Sequence, residues 1–304
     1  MKRSTQVFTV SALAAALAAC GGDGLNSSSD ATGTASFNLT DAAVDSVQEV
    51  NISIVALELK RDDEIIRFDV DPASGLENIN LLDLQDGTVA TLISEQELPA
   101  GQYEWVRLKL GDESTFSVVD DNGGVHGLFV PSGDTRGLQT SGFVVPADSI
   151  VSFTIDFDVR KSLINPPGLG RYLLKPVLRL ADNSQVGTIT GSIDSTLLAQ
   201  TCADSGSNST TYAGAVYIHE GHDVTPDDLG SSNEPLVVAP VDTETYEYEA
   251  WFIPEGNYTV SYTCDMDELE DTDGSPADED LTFVPAEGIE IVVEAGEATS
   301  VTFE

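Results

Sequence analysis

Two short segments of the chain combine residue types that bind metal ions. The stretch HEGHD places His219 and His222 three residues apart, with a carboxylate after each of them. The stretch DMDELEDTDGSPADED, residues 265–280, holds nine carboxylates in sixteen residues. Imidazole nitrogen suits transition metals, whereas clustered carboxylate oxygens suit calcium. The candidate metal ligands are Asp265, Asp267, Asp271, Asp273, Asp278, Asp280, His219 and His222.

Each segment also has a structural interpretation. The two histidines follow the strand-like run AGAVYI, and side chains three residues apart on a strand point to opposite faces. A structural or solvated turn is therefore favoured over a metal site. In the acidic run, aligning Gly274 with the invariant glycine of an EF-hand puts Leu269 at the first ligand position, which excludes that motif. We favour a solvated connection between two strands, with a looser calcium loop as the alternative.

The sequence contains no catalytic motif. It lacks the GxSxG elbow, the P-loop, the HExxH motif and the dinucleotide fingerprint. We therefore predict no catalytic residue and no cofactor other than the calcium alternative. We expect the chain to be non-enzymatic. The competing hypothesis is that it is a calcium- or metal-dependent hydrolase of the cell envelope.

The first twenty residues predict an export signal. Lys2 and Arg3 precede a short apolar run, Val7 to Leu17, and two small residues follow it. The run LAAC then resembles the lipobox of bacterial lipoproteins. That resemblance implies a signal peptide at 1–19 and a lipid-modified Cys20, which makes the membrane a partner through the lipid. Glycines rather than aspartate after the cysteine imply the outer membrane, on its periplasmic face or at the cell surface.

With Cys20 assigned to the lipid, Cys202 and Cys264 are the remaining cysteines. An even pair in an oxidising compartment predicts a disulfide. The run NYTVSYTC puts Cys264 on the same strand face as Tyr258 and Tyr262, so its side chain is expected to point inward. A metal pair or a catalytic thiol is the alternative, and neither has a nearby third ligand.

The charge is strongly acidic and uneven. Thirteen Lys and Arg stand against 52 Asp and Glu, a net charge of -39, which excludes nucleic acid as a partner. Residues 180–304 contain 27 of the acids and no Lys or Arg. We interpret the excess as an adaptation for solubility or salt, and a cation-binding role is the alternative. The basic residues between 160 and 179 are expected to pair with Asp156 and Asp158 rather than to bind an anion.

Most of the remaining sequence predicts strands. The run SIVSFTIDFDVR alternates with period two, and VQEVNISIVALELK predicts one long strand with a bulge. In RYLLKPVLRL, Pro176 is expected at an edge or a bulge. Residues 88–97 are the best candidate for a short helix. Seven strands are expected after residue 186: GTITGSID, AGAVYIHE, PLVVAPV, TYEYEAWFI, NYTVSY, GIEIVVEA and ATSVTFE.

These elements predict an all-β chain of two tandem β-sandwich domains. A lipidated linker, 20–33, precedes a first domain at 34–181 and a second, acidic domain at 187–304. Both halves contain a Pro, Gly, Tyr turn that opens a strand, at Pro99 to Tyr103 and Pro254 to Tyr258. The turn is similar to those of prealbumin-like, Ig-like and carboxypeptidase regulatory-like sandwiches.

The first domain also resembles a known family. The runs SFNLTDAAVDSVQEVNISIVALEL, INLLDLQDGT, ELPAGQYEWVRLKL, IDFDVRKSL and YLLKPVLRL occur in order, and together they resemble the bacterial lipoprotein domain called domain of unknown function 4382. That family has no assigned site residues to carry over. We therefore expect a binding or structural module of the envelope whose partner is a protein or a glycan.

Overall fold

The computed structural model describes residues 31–42, 47–131, 137–166, 168–205, 212–267 and 279–304. Predictions made for other residues, Cys20 among them, lie outside this set. Within it, none of the helices has the length and apolar character that crossing a bilayer requires. Residues 31 to 304 group into one unit by their mutual contacts. Its strands fall into two sets that do not pair with each other, and we call these the N lobe (32–182) and the C lobe (186–303).

The described part of the N lobe contains sixteen strands and one short helix. The strands are β1 (Thr32–Ala42), β2 (Val47–Ile52), β3 (Ile54–Arg61), β4 (Glu64–Asp69), β5 (Ile79–Asn80), β6 (Ala90–Pro99), β7 (Gly101–Tyr103), β8 (Trp105–Leu110), β9 (Ser117–Asp120), β10 (Val125–Phe129), β11 (Leu138–Thr140), β12 (Phe143–Val145), β13 (Ile150–Asp158), β14 (Leu163–Ile164), β15 (Arg171–Leu174) and β16 (Leu178–Asp182). The helix is α1 (Val159–Ser162). Four sheets result, in the orders β16-β13-β1-β6, β14-β15-β10-β9-β2-β5, β11-β8-β3-β4 and β12-β7.

The described part of the C lobe contains seven strands and one helix. They are β17 (Val186–Ile193), α2 (Ser195–Ser205), β18 (Ala215–Glu220), β19 (Val237–Pro240), β20 (Glu247–Pro254), β21 (Gly256–Thr263), β22 (Val284–Val293) and β23 (Ala298–Phe303). The sheets have the orders β20-β17-β23 and β19-β18-β21-β22. All seven predicted strands are confirmed, and so is the all-β class. The division into two domains, at 34–181 and 187–304, stays a prediction.

Each lobe has its own apolar core. In the N lobe the inward side chains of β1, Ala35, Phe37 and Leu39, are fully buried, as period two requires. Phe37 packs edge-on against Phe143, with ring centroids 5.1 Å apart, and stacks on Phe153. In the C lobe the inward residues of β21 pack with those of β17 and β20. Alternation along the strands therefore places both cores.

The Pro, Gly, Tyr turns are the same device in both lobes. Tyr103 and Tyr258 are buried, and each ring ends in a hydroxyl that returns to its own turn. The Tyr103 hydroxyl donates to the carbonyl of Pro99 over 2.9 Å, and that of Tyr258 donates to Pro254 over 2.8 Å. Each tyrosine therefore fills the core and fixes the turn that precedes it.

The predicted helix at 88–97 is wrong. Residues 90–99 form β6, which pairs antiparallel with β1 along most of its length. The segment has β-branched residues at Val89, Thr91 and Ile93, which favour a pleated strand. A free edge of β1 was available to it, so tertiary pairing decided the outcome.

Two long runs are each divided between two sheets. VQEVNISIVALELK is not one bulged strand, because Ser53 separates β2 from β3 and the two strands belong to different sheets. Ser53 is buried, and its carbonyl accepts from Gly111 over 2.9 Å. Pro176 likewise lies neither at an edge nor in a bulge. It lies in the connection between β15 and β16, where its missing N–H costs no ladder bond.

The helix α2 was not expected from the sequence. Asp194 caps it by accepting from the backbone of Thr196 over 2.8 Å and of Leu197 over 3.4 Å, and these bonds hold the pKa of Asp194 below its usual range. Leu198 and Cys202 face the core. Cys202 is bonded to Cys264 at the end of β21, which confirms the predicted disulfide. The bond therefore ties the helix to the sheet.

Removing this bond tests its contribution. The double variant Cys202→Ser/Cys264→Ser should lose about 4 kcal/mol of unfolding free energy, because the chain between the cysteines gains freedom when unfolded. Urea unfolding measures the loss. A reducing agent should lower the wild-type stability by a similar amount and leave the double variant unchanged. A wild-type chain whose stability does not respond to the reductant would contradict this prediction.

Candidate functional site

The boundary between the lobes is built around Arg179. This residue lies on β16 directly opposite Asp156 of β13, and its Nη2 is 2.5 Å from Asp156 Oδ2. Its Nη1 donates across the boundary to the carbonyl of Phe252 on β20, over 2.6 Å. The Asp156 side chain is only 8% exposed, so the pair is shielded from water. The predicted pairing of Asp156 with a basic residue is therefore confirmed, and the same guanidinium holds the C lobe.

The helix α1 brings a second cation to the boundary. Asp158 caps the helix by accepting from the Lys161 backbone over 3.0 Å. The Lys161 ammonium donates to the carbonyls of Pro235 and Leu236 in the C lobe and lies 3.8 Å from a carboxylate oxygen of Glu234. Its side chain is 10% exposed. The basic residues of α1 therefore serve the C lobe rather than Asp158 alone.

A small cleft opens between the lobes beside these contacts. Its lining is Thr40, Asp41, Asp86, Gly87, Asp156, Glu249, Ala250, Trp251, Phe252 and residues 237–240. The indole of Trp251 packs over Gly87, where a Cβ atom would lie 2.7 Å from the ring, so this contact requires glycine. The indole nitrogen donates to Glu249 over 3.1 Å. Acidic side chains thus surround an aromatic ring that is 38% exposed.

Asp41 is the most unusual group in the cleft. It is 6% exposed and follows Phe37 and Leu39 on the inward face of β1. Burial raises its pKa well above the usual range, a hydrogen bond from the backbone of Val159 opposes this, and Asp156 and Asp158 add repulsion. Sequence reasoning missed Asp41, although its phase in the strand marked it as an inward carboxyl.

The two predicted histidines have different partners. His219 ends up buried near the end of β18, where its Nε2 lies 3.2 Å from the backbone nitrogen of Asp227. Burial lowers its pKa, which favours the neutral ring. His222 is exposed, with Nε2 3.0 Å from the carbonyl of Ile291. The structure therefore gives each ring its own backbone contact.

Three of the predicted acidic ligands are described, and they lie at the two ends of the acidic segment 265–280. Asp265 accepts from the backbone of Thr282 over 2.6 Å, and Asp280 is exposed. Asp267 is partly buried and accepts from the hydroxyl of Tyr217 over 2.6 Å. Asp271, Asp273 and Asp278 lie outside the described residues. Among the side chains that are described, no three of His, Cys, Asp and Glu gather closely enough to hold a metal.

A third histidine forms a pair that the sequence analysis did not single out. His126 Nε2 lies 2.7 Å from Asp120 Oδ2, while Asp120 Oδ1 accepts from the backbone of Asn122 and Gly124. The histidine bond, followed by the backbone bonds, holds the pKa of Asp120 below its usual range. The signal was the hairpin sequence DDNGGVH, whose Asn-Gly step predicts a tight turn between β9 and β10.

Replacing Arg179 tests the boundary. Arg179→Met removes the partner of a shielded carboxylate and should lower the unfolding free energy by about 3 kcal/mol. The matched control is Arg67→Met, which removes a 45% exposed arginine that pairs with Glu58 and Asp69. That change should cost less than about 1 kcal/mol. Equal losses in urea unfolding would show that Arg179 is an ordinary surface residue.

Asp158 gives the boundary a pH dependence. Burial raises its pKa to about 6, against an opposing effect of Lys161. The folded chain therefore holds this proton more tightly than the unfolded chain, so the stabilisation is complete below about pH 4 and is lost as the pH rises through about 6. Asp158→Asn keeps a capping oxygen without the charge. Its Tm relative to wild type should increase between about pH 4 and about pH 7.5.

The control for this experiment is Asp148→Asn, at an exposed position with φ 54° that asparagine also adopts. Thermal unfolding of both variants and of wild type is compared at high salt, because salt screens the general repulsion between the charges of an acidic chain. The Asp148 variant should follow the wild-type pH profile. A Tm difference for Asp158→Asn that does not change with pH would contradict the assignment.

The chain is similar to several solved structures, but only at low sequence identity and low TM-score. No curated protein matches it. Among solved structures, the TIE protein of Bacillus anthracis aligns at 11% identity and a TM-score of 0.21, over 90% of this chain and 34% of that one. The minor pilin GBS52 of Streptococcus agalactiae aligns at 9% identity and a TM-score of 0.22, over 88% of this chain and 94% of that one. The major pilin BcpA of Bacillus cereus aligns at 10% identity and a TM-score of 0.22, over 90% of this chain and 69% of that one.

This chain thus spans about a third of the TIE protein chain, and TM-scores this low carry no conclusion about function. The family comparison is more specific. Residues 32–176 match the family model described as Domain of unknown function (DUF4382), which confirms the resemblance found in the sequence of the first domain.

Proposed function

We propose that this chain is a lipid-anchored, non-catalytic binding or structural module of the bacterial cell envelope, attached to the outer membrane through Cys20. The observation that carries the proposal is the position of LAAC. It ends an apolar run behind a basic start and precedes a Gly-, Ser- and Asp-rich segment, residues 21–33. A diacylated or triacylated cysteine anchors stably, since each buried methylene contributes about 0.8 kcal/mol.

The way the chain enters the fold suits an anchored protein. The first strand of the fold, β1, begins at Thr32. β1 pairs in parallel with β13 over nine residues, Thr34 to Ala42, and antiparallel with β6 on its other side. A force applied through the linker would therefore act on a strand that is bonded along both edges. Such a strand resists being pulled out, because several ladder bonds must break together.

The partner that we propose is a protein or a glycan in the envelope. The cleft between the lobes supports this, because Trp251 offers exposed aromatic surface and the neighbouring acids offer hydrogen-bond acceptors. Its volume of about 40 Å³ holds a few water molecules, which suits the tip of a side chain or a sugar hydroxyl rather than a whole organic ligand. Nucleic acid is excluded by the net charge of -39.

Replacing the anchor residue tests the proposal. Cys20→Ser should move the chain from the membrane fraction of expressing cells to the soluble fraction, because the acylated sulfur is lost. It should also abolish the incorporation of labelled palmitate. Immunoblots of the separated fractions measure the first effect, and labelling of the purified chain measures the second.

The matched control is Cys202→Ser/Cys264→Ser, which removes the other two cysteines and leaves the anchor. This variant should stay in the membrane fraction and incorporate palmitate. Retention of Cys20→Ser in washed membranes would overturn the anchoring proposal. For Cys20→Ser, a circular dichroism spectrum equal to that of wild type would show that the variant is folded.

A further inference from the structure

On β18 and β21 of the C lobe, the outward side chains are buried as completely as the inward ones. On β21, Tyr258, Val260 and Tyr262 face the main core, while Thr259, Ser261 and Thr263 face the other way, and all six are buried. Tyr217 of β18 lies on this second face and packs with Leu229, Leu281 and Phe283. Leu229, which follows β18, and Leu281 and Phe283, which precede β22, therefore cover this part of the sheet. We call this covered face the outer layer.

Two carboxylates lie in the outer layer. Asp228 is fully buried, and its Oδ2 accepts from the backbone of Glu279 over 2.6 Å. Asp267 Oδ2 accepts from the Tyr217 hydroxyl over 2.6 Å and from the backbone of Leu229 over 3.1 Å. Leu229 follows Asp228 directly, and the charge of Asp267 acts on Asp228, so the two carboxylates lie within electrostatic reach of each other. Each of them has one oxygen used by the protein.

The other oxygen of each carboxylate has no hydrogen-bond partner. Asp228 Oδ1 and Asp267 Oδ1 are both inaccessible to water and unpaired. The hydroxyl of Ser261, which stands opposite Tyr217 in the β18–β21 register, is a third buried oxygen without a partner. Buried polar atoms are almost always satisfied by protein, water or an ion. Three such oxygen atoms in one covered layer therefore indicate a ligand that these oxygen atoms coordinate or hydrogen-bond.

The charges around these oxygens favour a cation. Burial raises the pKa of Asp228, hydrogen bonds from the backbone of Glu279 and of Asp228 itself oppose this, and Asp267 and Asp227 add repulsion. Burial also raises the pKa of Asp267, which is partly offset by its bonds to Tyr217 and Leu229 and by Arg160. The C lobe has no lysine or arginine of its own. Arg160 gives Asp267 partial charge compensation, and buried carboxylates that are not fully paired coordinate metal ions.

We propose that Asp228 Oδ1 and Asp267 Oδ1 bind a calcium ion in the outer layer. The donors are hard oxygens, which calcium prefers, and two carboxylates balance its charge. Backbone carbonyls and water complete such sites, so a third acidic side chain is not required. The site takes Asp267 from the set predicted by the sequence and adds Asp228 from a different connection. It is independent of the lipid anchor.

Thermal unfolding of the full chain in detergent tests the site. The protein is first stripped with a chelator and then titrated with calcium chloride, with magnesium chloride as the comparison at equal ionic strength. Calcium at about a hundred times its dissociation constant should raise the Tm by several degrees, because it binds only the folded chain. Magnesium should raise it less, since it loses its water shell reluctantly.

Two isosteric variants locate the effect. Asp228→Asn and Asp267→Asn each remove one ligand charge without changing shape, and both should lose most of the calcium-dependent rise in Tm. Glu294→Gln changes an exposed carboxylate at the end of β22 and should keep the whole rise. A wild-type Tm that ignores calcium would overturn the site, as would an equal rise in both variants.

A direct measurement covers the case in which a variant does not fold. Terbium is a luminescent substitute for calcium, and a tyrosine close to it sensitises its emission. Wild type should show this emission on excitation of tyrosine, and excess calcium should quench it. Tyr217→Phe should still bind but change the emission. Protein that gives no emission, or an emission that calcium does not reduce, would overturn the proposal.

Discussion

The structure depends on how a few cations are shared across the boundary between the lobes. Arg179 pairs with Asp156 inside the N lobe and donates to Phe252 in the C lobe, so one guanidinium takes part in both. Residues 180–304 contain no lysine or arginine. Every basic side chain that meets the C lobe therefore comes from the N lobe. Lys161 does so through its ammonium, and Arg160 does so through its effect on Asp267.

This arrangement explains why so many carboxyl groups are buried at one place. Asp41, Asp156 and Asp158 of the N lobe crowd the side of the boundary where Arg179 and α1 lie. Asp156 and Asp158 raise the pKa of Asp41, Asp156 also raises that of Asp158, and the strong ion pair is the one between Asp156 and Arg179. Burying them costs stability, but the geometry of a shielded ion pair is narrow, so the pair with Asp156 holds the Arg179 guanidinium where it donates to Phe252 of the C lobe. The boundary is thus selective in geometry rather than strong in net energy.

The fold was predictable where local pattern and tertiary pairing agree. The seven C-lobe strands and the Tyr103 and Tyr258 turns have signals within a few residues, and the Cys202–Cys264 bond follows from the number of cysteines left after Cys20. The segment 88–97 failed because its pattern suits a helix as well as a strand, and only the free edge of β1 decided between them. The division at Ser53 failed for the same reason, since alternation alone does not say which sheet a strand joins.

The site was harder to predict, because local density of charge is a poor measure of what a carboxylate can bind. The run 265–280 drew attention by its nine acids, yet Asp265 serves a backbone nitrogen and Asp280 is exposed. Asp228 lies in an ordinary connection, TPDDLG, and among the acids that the structure describes it is the one with no exposed surface. A carboxylate gains affinity for a cation when it is desolvated and its remaining oxygen is unpaired. Both conditions come from a covering segment that is distant in sequence, so they are properties of the fold.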